Sequence, residues 1–186
     1  TCLPFSCCLR LGRPRQPGSP HLGFCTPSSL ITRPGCAILI PLRSNPEDGV
    51  DPIRAAVVTV SDKGHALERE DLSGPLLAKQ LQKLGAEVVD QVLVPDERAE
   101  IERALIRLAD ELALDLVVTT GGTGPAPRDV TPEATLAVID REMPGLAEVL
   151  RQEGYRRTVL AAVSRGVSGI RGRTLIVNLP GSPKAV

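Results

Sequence analysis

Leu116–Thr120 (LVVTT) is a short run of apolar and β-branched residues that ends directly on Gly121-Gly122-Thr123-Gly124. A run without apolar–polar alternation reads as a strand buried on both faces, and such strands belong to parallel sheets covered by helices on either side. Glycines placed straight after the strand let the backbone turn through positive φ and approach a ligand closely. Consecutive N–H groups in such a turn form a concavity for an anion. The loop is not a Walker A motif, because no Gly-Lys-Ser/Thr follows, and it is not a dinucleotide fingerprint.

The flanking segments fit the same frame. Ala55–Val60 (AAVVTV), Glu87–Val94 and Thr174–Leu179 (TLIVNL) predict three more strands. Leu77, Leu81 and Leu84 recur at helical spacing ahead of Gly85 and predict a helix over Leu72–Leu84. Ile101, Leu105, Leu108 and Leu112 predict another over Asp96–Leu112, with Asp96 and Glu97 at its start, where the helix dipole favours negative charge. Thr131 as N-cap with Pro132 behind it predicts a helix to Ile139, and Leu146–Gln152 reads as helical. Alternating strands and helices imply parallel pairing with right-handed crossovers. The expected fold is therefore α/β, a three-layer, doubly wound, mostly parallel sheet. Such sheets bind ligands beyond the carboxyl ends of their strands, where Ser61–Lys63, Thr119–Gly124 and Pro180–Lys184 fall.

Composition narrows the function. Five of the 22 basic residues (Arg10, Arg13, Arg15, Arg33, Arg43) lie in an acid-free stretch before residue 46, leaving 17 basic against 22 acidic residues in the remainder. A domain of that sign has no global field for polyanions, so a phosphate site must be built locally. Of the aromatics Phe5, Phe24 and Tyr155, only Tyr155 falls beyond the leader, so the stacking platforms of single-strand nucleic-acid readers are missing. Nucleic-acid binding is not expected. The cysteines (Cys2, Cys7, Cys8, Cys25, Cys36) fit no zinc-ligand spacing, and a cysteine-free domain is compatible with the cytoplasm.

Residues 1–52 hold nine of the seventeen prolines and no sustained periodicity. They read as a disordered or wrongly translated leader ahead of one domain over 53–186. The apolar stretch Cys36–Leu42 is broken by Pro41 and is far shorter than a membrane span, so no membrane insertion is expected.

Asp129 stands just ahead of the Thr131-Pro132 helix start, so a carboxylate and several amide donors converge on one rim. A carboxylate repels bound phosphates unless a divalent cation lies between them, which implies Mg²⁺.

The block from Thr119 to Thr135 (TTGGTGPAPRDVTPEAT) carries a specific resemblance. With Ser61-Asp62, Asp71-Leu72-Ser73-Gly74-Pro75, Pro95-Asp96-Glu97 and Asn178-Leu179-Pro180-Gly181-Ser182-Pro183-Lys184, it resembles the molybdenum-cofactor biosynthesis family, on its molybdopterin adenylyltransferase branch of MogA/MoaB type. The similarity spans essentially all of Arg54–Val186. It implies transfer of the adenylyl group of MgATP to the terminal phosphate of molybdopterin, giving adenylyl-molybdopterin and pyrophosphate. The alternative within the same fold is a non-catalytic pterin-binding or trimerising module, against which the retention of two acidic residues argues.

Site residues follow from the resemblance motif by motif. Asp96 and Asp129 match the family's catalytic acids, with Asp129 as metal ligand. Ser61, Asp62, Ser73 and Gly74 match nucleotide-binding positions, and Thr120, Gly121, Gly122, Thr123 and Gly124 contact phosphate or adenylate. Ser164-Arg165 and Pro180, Gly181, Ser182 and Lys184 shape the pterin side. Mg²⁺, ATP and molybdopterin are the implied ligands, a homotrimer the implied assembly, and a molybdate-insertion protein the implied recipient. Family members continue into a further helix after the Pro-Gly-x-Pro-Lys motif, so the domain is expected to be C-terminally truncated.

Overall fold

The computed structural model describes residues 51–66 and 70–183. Most of the leader and Lys184 lie outside the described residues.

Strand β1 (Arg54–Val60) is followed by a one-turn helix α1 (Asp62–His65), α2 (Ser73–Lys83) and β2 (Glu87–Val94). Helix α3 (Arg98–Ile106) leads to β3 (Leu116–Thr120) and α4 (Thr131–Val138). The chain then adds β4 (Arg141–Glu142), α5 (Pro144–Arg157), β5 (Ser168–Arg171) and β6 (Thr174–Leu179). The six strands form one sheet in the order β2-β1-β3-β6-β5-β4. The first four in that order run parallel, whereas β5 and β4 pair antiparallel. The expected mostly parallel α/β sheet is present, and β2, β3 and β6 have the expected bounds.

Both faces of the parallel part are covered. On one, Ala56, Val58, Val117 and Ile176 pack with Ile101, Leu105 and other residues of α3 and α4. On the other, Ala55, Val57 and Val118 pack with Leu77, Ala78 and Leu81 of α2. Adjacent strand residues therefore serve opposite cores, which is why β1 and β3 read as unbroken apolar runs.

Three local readings differ. The helix predicted over Asp96–Leu112 begins at Arg98 and turns into a π-helical segment, Arg107–Glu111. Asp96 is left before the helix and free to bond elsewhere. The segment predicted at Leu146–Gln152 extends over Pro144–Arg157. Thr131 is not the N-cap of α4: Val130 occupies that position, and the Thr131 hydroxyl instead donates to Gly121 O at 3.0 Å.

Register sets the position of the site. Val60 pairs with Val94, Thr59 with Thr120, and Thr120 with Leu179. The carboxyl ends of all four parallel strands are thus level, and Ser61, Asp96, Gly121 and Pro180 emerge along one edge.

Candidate active site

The loop after β3 is held from several sides. Gly121 N donates to Leu179 O at 3.2 Å, and Thr120 Oγ1 donates to Pro180 O at 3.0 Å. Thr131 N donates to Gly122 O at 3.1 Å. Gly121 has φ +103° and lies so close to Val60 O that any Cβ would collide with it. That is the physical demand for glycine at this position. Ser73 Oγ, at the start of α2, donates to Gly181 O at 2.9 Å, which ties the Pro-Gly-Ser turn to the same edge.

Two carboxylates lie against this loop. A Cβ on Gly122 would stand 3.0 Å from Asp96 Oδ1, and one on Gly124 would stand 2.8 Å from Asp129 Oδ2. Glycine here lets the acids sit directly on the backbone. Asp96 is also bonded to the end of β1: its Oδ2 accepts Asp62 N at 2.9 Å, and Asp62 Oδ1 accepts Asp96 N at 2.9 Å. Asp129 Oδ2 accepts Ala126 N at 2.9 Å, folding the 126–129 turn around its own carboxylate.

The electrostatics of the acids differ. Burial pushes the Asp96 carboxyl above the usual aspartate range, and the nearby Asp62 and Asp129 charges add to the effect, against the hydrogen bond from the Asp62 region. Asp62 is held below that range, first by its hydrogen bonds with the Arg128 guanidinium and then by the Asp96 amide. Arg128 reaches Asp62 at 2.7 Å and Glu97 at 2.9 Å, so one guanidinium spans the ends of β1 and β2 from the glycine-loop side.

Arg165 fastens the loop to α4. Its backbone N–H donates to Thr123 O and its Nε to Gly124 O, each at 2.9 Å. The same guanidinium bonds Asp129 O and pairs with Glu133. With the loop carbonyls engaged on that side, the N–H groups of Gly122, Thr123 and Gly124 have no protein acceptor among the described residues. They are the donors that an anion could take.

Beneath the site is a buried polar bridge. Asn178 Nδ2 donates to Thr119 Oγ1 and Thr135 Oγ1, both at 2.9 Å, and its Oδ1 accepts Val167 N at 3.2 Å. The network joins β3, β6 and α4 directly below the glycine loop.

Two cavities flank the loop. A small one of about 80 Å³ is lined by Ser61, Ser73, Thr120 and Gly181 among others. A large one of about 930 Å³ is lined by Gly122–Gly124 and Asp129 on one side, by Ser164, Pro180, Gly181 and Ser182, and by α5. Most expected residues are therefore brought together. Asp62 is turned toward Arg128. Gly74 lies packed between Asp71 and Thr59, where Asp71 Oδ1 accepts the N–H groups of Ser73 and Gly74, both at 3.0 Å. Leu72 holds the N-cap position of α2, and the Asp71 carboxylate before it satisfies the first-turn N–H groups, a role signalled in sequence by Asp two residues before Ser-Gly.

Among the described residues no group of three or more His, Cys, Asp or Glu could hold a metal ion. The carboxylates beside the unpaired amides are Asp96, against Gly122, and Asp129, against Gly124. This suits Mg²⁺, which is commonly held by one or two carboxylates with substrate phosphates and water completing its shell. No helix among the described residues is long and apolar enough to cross a membrane.

Residues 56–186 match the family model described as "Probable molybdopterin binding domain". The molybdopterin adenylyltransferase of Escherichia coli (strain K12) is 45% identical over 139 residues, covering 74% of this chain and 71% of that protein. That of Haemophilus influenzae is 46% identical over 136 residues, covering 72% and 69%. The crystal structure of the molybdopterin biosynthesis enzyme MoaB from Thermus thermophilus is 53% identical, with a TM-score of 0.67 over 72% of this chain and 84% of that one.

Proposed function

The chain belongs to the molybdopterin-binding domain family, and we propose on that footing that it is a molybdopterin adenylyltransferase acting in molybdenum cofactor biosynthesis. The observation that carries the reading is the pair Asp96 and Asp129, each lying against a glycine of the loop whose amides are unpaired.

In this reaction an oxygen of the pterin's terminal phosphate attacks the α-phosphorus of ATP. The new P–O–P bond forms as the bond to the bridging oxygen breaks, and pyrophosphate leaves with that electron pair. The attacking phosphate is largely ionised near neutral pH, so the step requires no general base. What it requires is positioning and neutralisation of charge spread over phosphoryl oxygens. The N–H groups of Gly122, Thr123 and Gly124 would bind those oxygens, and Asp129, with Asp96 beside it, would hold Mg²⁺. When bound, Mg²⁺ supplies the charge that lets carboxylates and phosphates share one site. Ser61, Ser73 and Thr120 would line the nucleotide side, and Ser164, Pro180, Gly181, Ser182 and Lys184 the pterin side.

The reading extends to a cytoplasmic homotrimer that passes its adenylylated product to a molybdate-insertion protein. Residues 1–52 lie outside the proposed catalytic unit, so removal of residues 1–50 is expected to leave turnover unchanged. The test is pyrophosphate release from MgATP by the purified chain with and without molybdopterin. Pterin-dependent release is expected. No release by a folded protein would instead support the binding-module alternative.

A further inference from the structure

The large cavity has two walls of different character. Gly122–Gly124 and Asp129 form one, while α5 and the 3₁₀ segment Val159–Val163 form the other, with Ala147, Leu150 and Leu160 facing the space. Set in that apolar wall is Arg151, which is half-buried and donates from Nη1 to Gly166 O at 2.7 Å. That bond fixes the guanidinium in place and leaves its remaining N–H donors without a protein acceptor among the described residues.

Arg151 is one of four described arginines, with Arg54, Arg141 and Arg157, that are in no ion pair, and of these it is the one fixed in the cavity wall. Eight of the described arginines are ion-paired with carboxylates. Arg151 is in none of these pairs. The acid on its own helix that faces the cavity, Glu153, is already paired with Arg156 at 2.8 Å. Across the cavity, Asp129 is bonded to Ala126 N. Arg157 stands exposed at the same wall, and it too is in no carboxylate pair among the described residues. A half-buried guanidinium among apolar side chains is unfavourable unless hydrogen bonds or an anion complete its shell. A planar fork with free donors is matched to a phosphate, which it binds through two parallel N–H···O bonds.

We propose that Arg151 is a specificity-determining residue that forks onto the phosphate monoester of the acceptor, holding it in the large cavity opposite the glycine loop. The proposal rests on the adenylyltransferase reading. It assigns the acceptor's anionic end to α5 and leaves the loop amides for the phosphates of ATP. Arg157 adds positive potential at the rim without a fixed geometry.

The test measures equilibrium binding of molybdopterin, without nucleotide, to the full chain and to Arg151→Gln and Arg151→Lys. Binding of ATP with Mg²⁺ is measured in parallel. Arg151→Gln is expected to weaken molybdopterin binding by about tenfold or more, the scale of a charge-assisted hydrogen bond, and to leave ATP affinity within about twofold. Arg151→Lys keeps the charge and can keep the bond to Gly166 but loses the fork, so its affinity is expected to lie between the two. Molybdopterin affinity unchanged in both variants overturns the proposal. So does a parallel loss of ATP affinity, which places the guanidinium on the nucleotide instead. If Arg151→Gln melts at a lower temperature than the wild type, Arg151→Lys decides, and full affinity in that variant counts against the fork. Because binding is read without turnover, the outcome is separate from whether the wild-type chain releases pyrophosphate.

Discussion

Asp62 and Asp96 each accept the other's backbone N–H at 2.9 Å, so two crossed carboxylate–amide bonds tie the ends of β1 and β2. The pairing holds Asp96 against Gly122 even though burial opposes its ionisation. The neighbouring Asp62 is stabilised as an anion by Arg128. The two acids of the pair are thereby set to ionise at different pH.

Asp96→Asn separates charge from hydrogen bonding, because the amide oxygen can still accept Asp62 N. Its folded pKa being raised, Asp96 contributes stability in its protonated form. That contribution is complete below the ordinary aspartate pKa and is lost as pH rises through the folded value. The variant is therefore expected to melt at or above the wild-type temperature near neutral pH, with the difference shrinking on acidification. Its pyrophosphate release should fall at least about tenfold. Thermal melts across pH check the first expectation, and a variant less stable at neutral pH than in acid, relative to wild type, contradicts it.

Asp129→Ala removes a bond to Ala126 N from an exposed turn, so the expected stability loss is within about 1 kcal/mol. Adenylyl transfer should nonetheless be abolished. Near-normal turnover would remove Asp129 from the mechanism.

Alanine at two positive-φ glycines should behave differently. Gly172 has φ +56° and open space around it, so Gly172→Ala is expected to lower stability by about 1–2 kcal/mol through backbone strain alone. Gly121→Ala adds a collision with Val60 O and should cost more than about 3 kcal/mol or prevent folding. Equal denaturation midpoints for the two variants would contradict the account of the loop.

Asn178→Ala leaves Val167 N and the Thr119 hydroxyl without their buried partner and takes a donor from Thr135 Oγ1, which keeps its bond to Thr131 O. The expected loss is about 2–4 kcal/mol in urea denaturation. A loss below about 1 kcal/mol would mean that the bridge beneath the loop carries little.

Arg165→Gln should loosen the loop by weakening its ties to Gly124 O, Asp129 O and Glu133. The expected signature is a fall in kcat of about tenfold or more, with a raised Mg²⁺ requirement, since Asp129 O is one of its acceptors. A change confined to the melting temperature would reduce Arg165 to a structural role.

Strands β1, β3 and β6 are legible in the sequence as short runs of apolar and β-branched residues, β2 as the valine-rich run Glu87–Val94, and the glycine loop is legible because it follows one of them. Strands β4 and β5 are not: Arg141–Glu142 and Ser168–Arg171 are too short and polar to show a period. The gathering of Ser61, Thr120, Gly121 and Pro180 at one edge follows from the strand ends, whereas side-chain partnerships do not. Asp62 meets Asp96 from 34 residues away and Arg128 from 66, and neither pairing leaves a local pattern. Thr131 differs from its expected role for the same reason. Its local context is that of an N-cap, but its hydroxyl finds a carbonyl ten residues upstream.

The most direct test of the central claim follows the α-phosphorus of ATP. The chain is incubated with Mg²⁺, molybdopterin and ATP labelled at that atom, and the products are separated. Label in the pterin product together with unlabelled pyrophosphate, both dependent on molybdopterin, is the predicted result. Label in ADP, or in AMP formed equally without the pterin, would contradict the account, because the site would then hydrolyse ATP rather than transfer its adenylyl group.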